Sequence, residues 1–279
     1  MAINWYPGHM KKAHDAIEKA LAQVDAVLEI RDARIPQSSR NEQLERLTAR
    51  KPRIILLNKK DMAQAAETER WMAALRRDGQ RAIAVEATRE RPARLIYEAA
   101  ATLLEDQRAK RERRAIINRE IRLLVMGIPN VGKSTVINAL VERRTAEVGD
   151  LPGITKHERW IKTEADLLLL DTPGILPTKL EEARAMRLAF TGAIRDDVLP
   201  EQDIGLELIR LLMARVPEAL AERYHLSGLS DPLEVMEEIA RQIGALVKGG
   251  EADYTRTARR VIDDYRKMRF GRLTLEPAP

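Results

Sequence analysis

Cysteine is absent from this chain of 279 residues. Its absence excludes disulfide bridges, thiolate metal ligands and cysteine nucleophiles, and it fits a reducing compartment. Long apolar runs are missing as well, since the leucine run at residues 167–170 is far shorter than the roughly 18 residues that a membrane span needs. Residues 1–10 carry no basic or apolar region typical of a secretory signal. We therefore expect a soluble, cytoplasmic chain that contacts no membrane.

Neither sign of charge dominates, because the chain has 48 basic and 43 acidic residues and a net charge of +5. A basic excess suggests a polyanionic partner, and nucleic acid is one candidate. The many acidic residues mean that any basic surface must be local. The densest basic stretch, at residues 108–114, has two open interpretations, a solvated helix face or a contact with RNA.

A glycine-rich stretch at residues 127–134, GIPNVGKS, carries the clearest chemical signal. It matches the phosphate-binding pattern G-x-x-x-x-G-K-[ST], with an apolar strand pattern before it and a helical pattern after it. Glycines let the backbone fold around a triphosphate, and N–H groups at a helix start point at the anion. A structural glycine turn is the weaker alternative. The predicted nucleotide contacts in this P-loop are Asn130, Val131, Gly132, Lys133, Ser134 and Thr135, with Lys133 on the β- and γ-phosphates and Ser134 on Mg²⁺.

A second motif, N-K-x-D, follows the apolar run at residues 52–57 and consists of Asn58, Lys59, Lys60 and Asp61. A carboxylate at its end can accept hydrogen bonds from N1–H and the N2 amine of guanine, whereas adenine offers no such donors there. We therefore infer that the nucleotide is GTP or GDP.

A third stretch, at residues 86–88, stands where guanine sites carry a Ser-Ala-Lys-like loop, and it reads Glu86, Ala87 and Thr88. The backbone N–H of Ala87 can still contact the base. Glu86 does not supply the hydroxyl that a serine would, so this part of the site departs from the usual pattern.

The D-x-x-G motif at residues 171–174 completes the phosphate side of the site. Asp171 would hold Mg²⁺ through water, and the Gly174 N–H would sense the γ-phosphate. Thr155 is the candidate threonine of switch I that completes the Mg²⁺ shell, with an ordinary loop threonine as its alternative. Ile175 follows Gly174, where Ras-like enzymes carry the glutamine that orients water. An isoleucine cannot orient water, so another group must.

The order of these motifs is unusual, because N-K-x-D and residues 86–88 precede the P-loop. A sheet keeps its geometry under circular permutation when the old termini lie close together. The cut then falls after D-x-x-G, and the helix that would follow it becomes the N-terminal segment containing His9.

Strand and helix patterns alternate up to about residue 177, with a long helix expected over residues 92–118, which predicts an α/β fold with a doubly wound, mainly parallel sheet. Beyond that point the strand signals stop, and amphipathic helices are expected near residues 179–194, 201–214, 216–225, 231–247 and 252–269. We place a permuted GTPase domain at residues 1–178 and a smaller, all-α domain at residues 179–279.

The motif order and the opening segment WYPGHM at residues 5–10 resemble the circularly permuted GTPases of the ribosome biogenesis GTPase A (YlqF) family. The resemblance continues into the basic segment at residues 258–273, and it implies that the all-α domain at residues 179–279 binds RNA or the ribosome. It implies a GTP-hydrolysing switch that binds a precursor of the large ribosomal subunit, through rRNA and ribosomal proteins, late in assembly. It further implies that the subunit stimulates hydrolysis and that the protein leaves afterwards. We expect it to act as a monomer.

The resemblance also bears on catalysis and cofactors. His9 is the candidate for orienting water, since an imidazole can accept from or donate to it, while a helix cap or a packing role is the alternative. Asn130 matches the position that helps bind K⁺ in potassium-activated GTPases, so K⁺ is expected as a second cofactor beside Mg²⁺. The basic residues that would contact RNA phosphates, or form a solvated helix face, are Arg256, Arg259, Arg260, Arg266, Lys267, Arg269 and Arg272.

Two other functions compete with this interpretation. A small-molecule kinase with a P-loop would have no need to select guanine, so N-K-x-D disfavours it. A GTP-dependent scaffold that does not hydrolyse its nucleotide would use His9 only structurally.

Overall fold

A computed structural model of the chain describes residues 3–4, 17–112, 120–141, 160–163, 165–172, 174–177, 179–195 and 198–279. The chain divides into two compact units. One contains the described residues up to Leu180 together with Glu276–Pro279, and we call it the sheet unit. The other, Glu181–Leu275, is the helical unit.

The sheet unit is built on a six-stranded sheet in the order β4-β3-β2-β5-β7-β6. Its strands are β2 (Ala26–Asp32), β3 (Arg53–Asn58), β4 (Arg81–Val85), β5 (Ile121–Met126), β6 (Trp160–Lys162) and β7 (Leu167–Asp171). The described pairings are parallel except that of β6 with β7, which is antiparallel. The predicted mainly parallel sheet is confirmed.

Helices alternate with these strands. They are α1 (Glu42–Leu47), a short 3-10 turn (Lys60–Met62), α2 (Ala65–Arg77), α3 (Ala93–Leu103), α4 (Glu105–Glu112) and α5 (Lys133–Leu140), and residues 17–20 are also helical. In the part of the chain that the structure describes, none of the helices has the length and apolar composition required to cross a bilayer.

Two predicted boundaries differ from the structure. The long helix expected over residues 92–118 is interrupted at Leu104, between α3 and α4, where no glycine or proline announces a break. A strand also occurs beyond residue 177, since β8 (Lys179–Leu180) pairs antiparallel with β1 (Ile3–Asn4). The expectation that strands end there was wrong, because a two-residue strand carries no readable periodicity.

Buried charges divide one face of the sheet. Parallel register places Glu29 of β2 between Met126 of β5 and Ile55 of β3, which belong to two separate apolar clusters. Arg31 donates to Glu29 at 2.7 Å and to Glu45 of α1 at 2.8 Å. These contacts give the buried carboxylate of Glu29 a cationic partner, which a charge removed from water requires.

Glu45 is the shared anion of this cluster. Burial alone would raise the pKa of Glu45, but its hydrogen bond from Arg40, at 2.7 Å, and the charges of Arg31, Arg40 and Arg53 lower that pKa. Arg53 of β3 also donates to the Glu45 carbonyl at 2.9 Å and to the Thr48 hydroxyl at 2.8 Å. The C-terminal half of helix α1 is thereby fixed to β2 and β3.

The last four residues, Glu276–Pro279, return to the sheet unit. The buried carboxylate of Glu276 accepts from the backbone N–H groups of Gln37 and Ser38 at 2.8 and 3.0 Å. Trp71 donates from Nε1 to the Glu276 carbonyl at 2.9 Å, and Ala278 packs against the apolar cluster that contains Trp71. The chain's end is thus held by specific contacts rather than being a loose tail.

The helical unit consists of α6 (Glu182–Phe190), α7 (Glu201–Arg215), α8 (Pro217–Tyr224), α9 (Pro232–Gln242) and α10 (Tyr254–Arg266). Asp231 and Asp253 cap α9 and α10 by accepting backbone N–H bonds, as aspartate does at helix starts. Buried apolar side chains at helical spacing, such as Leu208 and Leu212 on α7 and Val261 on α10, form its interior.

Two polar groups link these helices. Arg266 donates to the backbone carbonyls of Ala189 and Phe190, at 2.7 and 3.1 Å, and so caps the end of α6. The buried carboxylate of Asp264 accepts from the Tyr224 hydroxyl at 2.9 Å and lies 2.8 Å from Arg223. These side chains therefore have structural partners.

Gly205 marks the closest approach between helices α7 and α10. A Cβ added at Gly205 would lie 2.6 Å from the Ala258 Cα and nearer still to its Cβ. No side chain fits there without moving one helix, which explains a glycine in mid-helix despite its low helix propensity.

We expect Gly205→Ala to destabilise the chain although alanine favours helix, because the added methyl group overpacks the crossing and costs about 1–3 kcal/mol. Chemical unfolding of the full chain, followed through loss of helix, measures the change. Gly228→Ala is the matched control, since nothing lies within 4 Å of its added Cβ. A Gly205→Ala variant as stable as the wild type would contradict the close crossing.

Candidate functional site

The predicted motifs follow the carboxyl ends of neighbouring parallel strands, the edge at which such sheets bind ligands. The P-loop follows β5, residues 58–61 follow β3, residues 86–88 follow β4, and D-x-x-G begins at the end of β7. Since β2 lies between β5 and β3, its terminal residue Asp32 lies between the P-loop and N-K-x-D. The permuted order along the chain therefore still brings these motifs to one edge.

Asn58 joins three of these loops through its side-chain amide. Its Nδ2 donates to the Val131 carbonyl of the P-loop at 3.0 Å, and its Oδ1 accepts from the Ala87 N–H at 3.3 Å. The side chain is 3% exposed, so both bonds are sheltered from water. The first residue of N-K-x-D thus acts as an internal brace for the site.

Lys59 makes the second link to the P-loop. Its ammonium donates to the Asn130 carbonyl at 2.8 Å and to the Asp32 carboxylate at 2.9 Å. Lys59 and Asn130 both have left-handed backbone conformations, with φ of 61° and 58°. That conformation is costly for residues other than glycine, and tight contacts sustain it at functional loops.

Asp32 is a site residue that the sequence does not predict. It is 2% exposed, and its carboxylate accepts from Arg34 at 2.7 and 3.0 Å as well as from Lys59. Burial alone would raise the pKa of Asp32, but the charges of Arg34 and Lys59 hold that pKa well below its ordinary value. Its only sequence signal is an acidic residue at the end of an apolar strand.

The Asp61 carboxylate is left available. Within the described ranges it has no hydrogen-bond or ion-pair partner, although the residue is half-buried in the 3-10 turn. Lys60, beside it, is 2.6 Å from Glu90, and Glu90 also accepts from the Glu86 N–H at 3.0 Å. These contacts tie residues 58–61 to the loop at 86–90 and do not involve the Asp61 carboxylate.

Residues 86–88 differ in one respect from the prediction. The Ala87 N–H, expected to contact a base, donates to Asn58 in this structure. The Glu86 carboxylate accepts from the Thr88 hydroxyl at 3.4 Å and lies 3.2 Å from the Arg89 guanidinium. Glu86 therefore organises its own turn, and a base would share the Ala87 N–H with Asn58.

The P-loop presents its lysine and hydroxyl groups at the start of α5. Gly132 caps the helix, and Ser134 and Thr135 in the first turn are exposed. The Lys133 ammonium donates to the Ile128 carbonyl at 3.3 Å. Burial lowers the pKa of Lys133, and the nearby Asp171 carboxylate partly opposes this. A bound polyphosphate would raise the pKa of Lys133 again, since it brings anions to the ammonium.

The D-x-x-G segment lies against this loop. The Thr172 hydroxyl donates to the Val125 carbonyl of β5 at 2.8 Å, and Asp171 is exposed beside it. A Cβ added at Gly174 would lie 2.8 Å from the Lys133 Nζ and 2.9 Å from the Pro129 N. Only a glycine lets this backbone come so close to the phosphate-binding loop.

Two predicted site residues, His9 and Thr155, lie outside the described residues. For metal binding, no group of three or more histidine, aspartate or glutamate side chains in the described part of the chain could hold an ion by itself. Mg²⁺ in nucleotide sites takes one or two carboxylates and completes its shell with phosphate oxygens and water. The exposed oxygen donors of Ser134 and Asp171 fit that need.

Comparison with known proteins agrees with this geometry. A family model described as "50S ribosome-binding GTPase" matches residues 122–212. Ribosome biogenesis GTPase A of Bacillus licheniformis is 41% identical over 99% of this chain and 98% of its own length. The protein of that name from Thermotoga maritima is 32% identical over 98% and 94%. The chain belongs to the ribosome biogenesis GTPase A family.

The solved structures lead to the same family. The structure titled "Crystal structure of GNP-bound YlqF from T. maritima" aligns with a TM-score of 0.66 and 28% identity, covering 96% of this chain and 98% of that one. The match confirms the circularly permuted GTPase fold and the helical region after it. Membership supports GTP binding and hydrolysis, and it supports the use of Mg²⁺.

Asp32→Asn should lower the free energy of unfolding at neutral pH by roughly 3 kcal/mol, because an amide cannot balance the charges of Arg34 and Lys59. The pKa of Asp32 in the folded chain lies below its ordinary 3.8. The stabilisation is therefore complete above about pH 4 and is lost as the pH falls further.

Chemical unfolding between pH 7 and pH 3 measures this dependence, and the gap between wild type and variant should narrow towards pH 3. Asp78→Asn is the control, as Asp78 is exposed at the end of α2. A gap that stays constant across this range would contradict the ionised state assigned to Asp32.

Proposed function

We propose that this GTPase acts as a switch in late assembly of the large ribosomal subunit, binding the precursor with GTP and leaving after hydrolysis. Nucleotide binding is supported above all by the contacts of Asn58, whose amide ties the P-loop to the two loops on the base side. The names of the relatives support the ribosomal part. We further propose that the protein is a cytoplasmic monomer and that the subunit stimulates its hydrolysis.

We propose that guanine is selected by Asp61. Its carboxylate is half-buried at the carboxyl edge of the sheet and has no partner in the described part of the chain. Guanine supplies the two N–H donors that such a carboxylate needs, because an unpaired acceptor removed from water is costly. Lys59 and Asn58 would hold the loop in place while the base enters.

The metal shell is proposed from the donor set. Ser134 and Asp171 would hold Mg²⁺ next to the phosphates, where the ion would neutralise charge that develops in hydrolysis. Thr155 would complete the shell, and Asn130 would contribute to a K⁺ site. The left-handed Asn130 already orders this part of the P-loop by accepting from Lys59.

The group that orients water is proposed to be His9. Ile175, the residue at the Ras glutamine position, is 5% exposed and packs in an apolar cluster, so it offers neither polarity nor access. Circular permutation would place the N-terminal segment after D-x-x-G, where a replacement for the glutamine is needed.

His9→Ala should reduce hydrolysis by about 100-fold, the usual loss when one positioned proton-accepting group is removed, while GTP affinity stays unchanged. Single-turnover hydrolysis with and without large subunits, alongside equilibrium binding of GTP, measures both quantities. Ribosome-stimulated turnover at the wild-type rate would remove His9 from the mechanism.

RNA contacts are proposed for basic residues of the helical unit. These residues differ in whether their side chains already have a partner within the protein. Arg266 caps α6, and Arg259 is 2.6 Å from Glu201. Lys267 lies 2.8 Å from Asp263. Arg269 and Arg272 are exposed in the turn after α10, with no side-chain partner among the described residues. Those two are the strongest candidates for phosphate contact.

Co-sedimentation with purified large subunits, under GDP and under a non-hydrolysable GTP analogue, tests the switch. We expect binding that depends on the nucleotide and that weakens as salt is added, since phosphate contacts release counterions. The double variant Arg269→Ala, Arg272→Ala should bind more weakly and reduce the salt slope by about 2.

Arg210→Ala serves as the control, because Arg210 is an exposed arginine of the same unit and pairs with Glu207. Binding that ignores the nucleotide would argue against a switch. A salt response that is flat would argue against contact with RNA phosphates.

A further inference from the structure

Asn41 uses both ends of its side-chain amide. It is the N-cap of α1, where its Oδ1 accepts from the N–H groups of Gln43 and Leu44 at 3.1 and 3.2 Å. Its Nδ2 donates to the Ile175 carbonyl at 2.7 Å. The side chain is 2% exposed. Capping needs only the oxygen, so the nitrogen is free to serve a second purpose.

Helix α1 is a fixed support for this contact. Glu45 within the helix is bound by Arg31 of β2, and Arg53 of β3 donates to the Glu45 carbonyl and the Thr48 hydroxyl. Buried charge pairs with several hydrogen bonds resist displacement, because moving one partner leaves the other unpaired. The Nδ2 of Asn41 is therefore held in a constant position relative to the sheet.

Asn41 holds a carbonyl one residue beyond the glycine that is expected to register the γ-phosphate. Ile175 directly follows Gly174, and its side chain is buried among apolar residues. Gly174 itself lies against Lys133 and Pro129 of the P-loop. The P-loop thus borders Gly174, and the N-cap of α1 binds the carbonyl of the next residue.

We propose that Asn41 is a positioning residue for GTP hydrolysis, which it serves by holding the Ile175 carbonyl so that the Gly174 N–H is aimed at the γ-phosphate. One planar peptide unit lies between the Ile175 carbonyl and the Gly174 N–H, so fixing the carbonyl limits the backbone torsions through which that N–H can turn. The inference rests on GTP hydrolysis by this chain. It concerns GTP and not GDP, since only GTP presents a γ-phosphate.

Asn41→Asp and Asn41→Ser separate the two uses of the amide. Aspartate and serine are good N-caps, because each supplies an acceptor oxygen. Neither variant can reproduce the Nδ2 bond to the Ile175 carbonyl. The aspartate carboxylate has no hydrogen to donate, and the serine side chain is shorter and uses its hydroxyl as the cap. Single-turnover hydrolysis should fall about fivefold in both variants, the factor that one lost neutral hydrogen bond produces.

Nucleotide affinity is a second test of the role of Asn41, and it depends neither on turnover nor on ribosomes. The affinity for a non-hydrolysable GTP analogue should fall by about the same fivefold factor. GDP affinity should stay at the wild-type value, because GDP does not reach Gly174. If the wild type itself failed to hydrolyse GTP, the proposed function would be at fault, and this affinity ratio would still decide the role of Asn41.

Gly205→Ala is the control for a loss of stability. It overpacks the crossing of α7 and α10 within the helical unit and removes no contact of Asn41 or Ile175. It should lower the midpoint of chemical unfolding and leave hydrolysis and the affinity ratio as in the wild type. Wild-type hydrolysis in both Asn41 variants, or equal losses in Gly205→Ala, would overturn the proposal.

Discussion

The amide of Asn58 is the contact on which the rest of the site depends. Three loops, which follow β5, β3 and β4, meet at this one side chain. The amide can bridge them because it carries a donor and an acceptor in one rigid plane. Lys59 adds a second bridge to the P-loop, so the base side and the phosphate side of the site form one connected body.

A connected edge of this kind explains why the motifs tolerate a new order along the chain. The geometry is set by which strands are neighbours in the sheet, and those neighbours are fixed by parallel pairing of β2, β3, β5 and β7. The position of the cut changes which elements the chain connects and leaves the neighbours within the sheet as they are. The consequence is local: the chain leaves the sheet unit just after D-x-x-G, at β8.

Buried charge does two different jobs in the sheet unit. Asp32 sits between the P-loop and N-K-x-D and neutralises Lys59, which holds a strained backbone in place. The cluster around Glu45 fixes α1 to β2 and β3 and so fixes Asn41. Apolar residues could fill the same volume with less desolvation, but they would not specify one orientation of these loops.

The sequence by itself determined the chemistry of the motifs, because fixed spacings such as GIPNVGKS and N-K-x-D demand particular residue types. It also determined the α/β class and the helical segment that follows, since hydrophobic periodicity is local. Only the tertiary structure decided that Lys60 pairs with Glu90, that Arg266 caps α6, and that the long helix breaks at Leu104. The roles of Asp32 and Asn41 arise from residues far apart in the chain, and no local pattern records which distant carbonyl or ammonium group a buried side chain will meet.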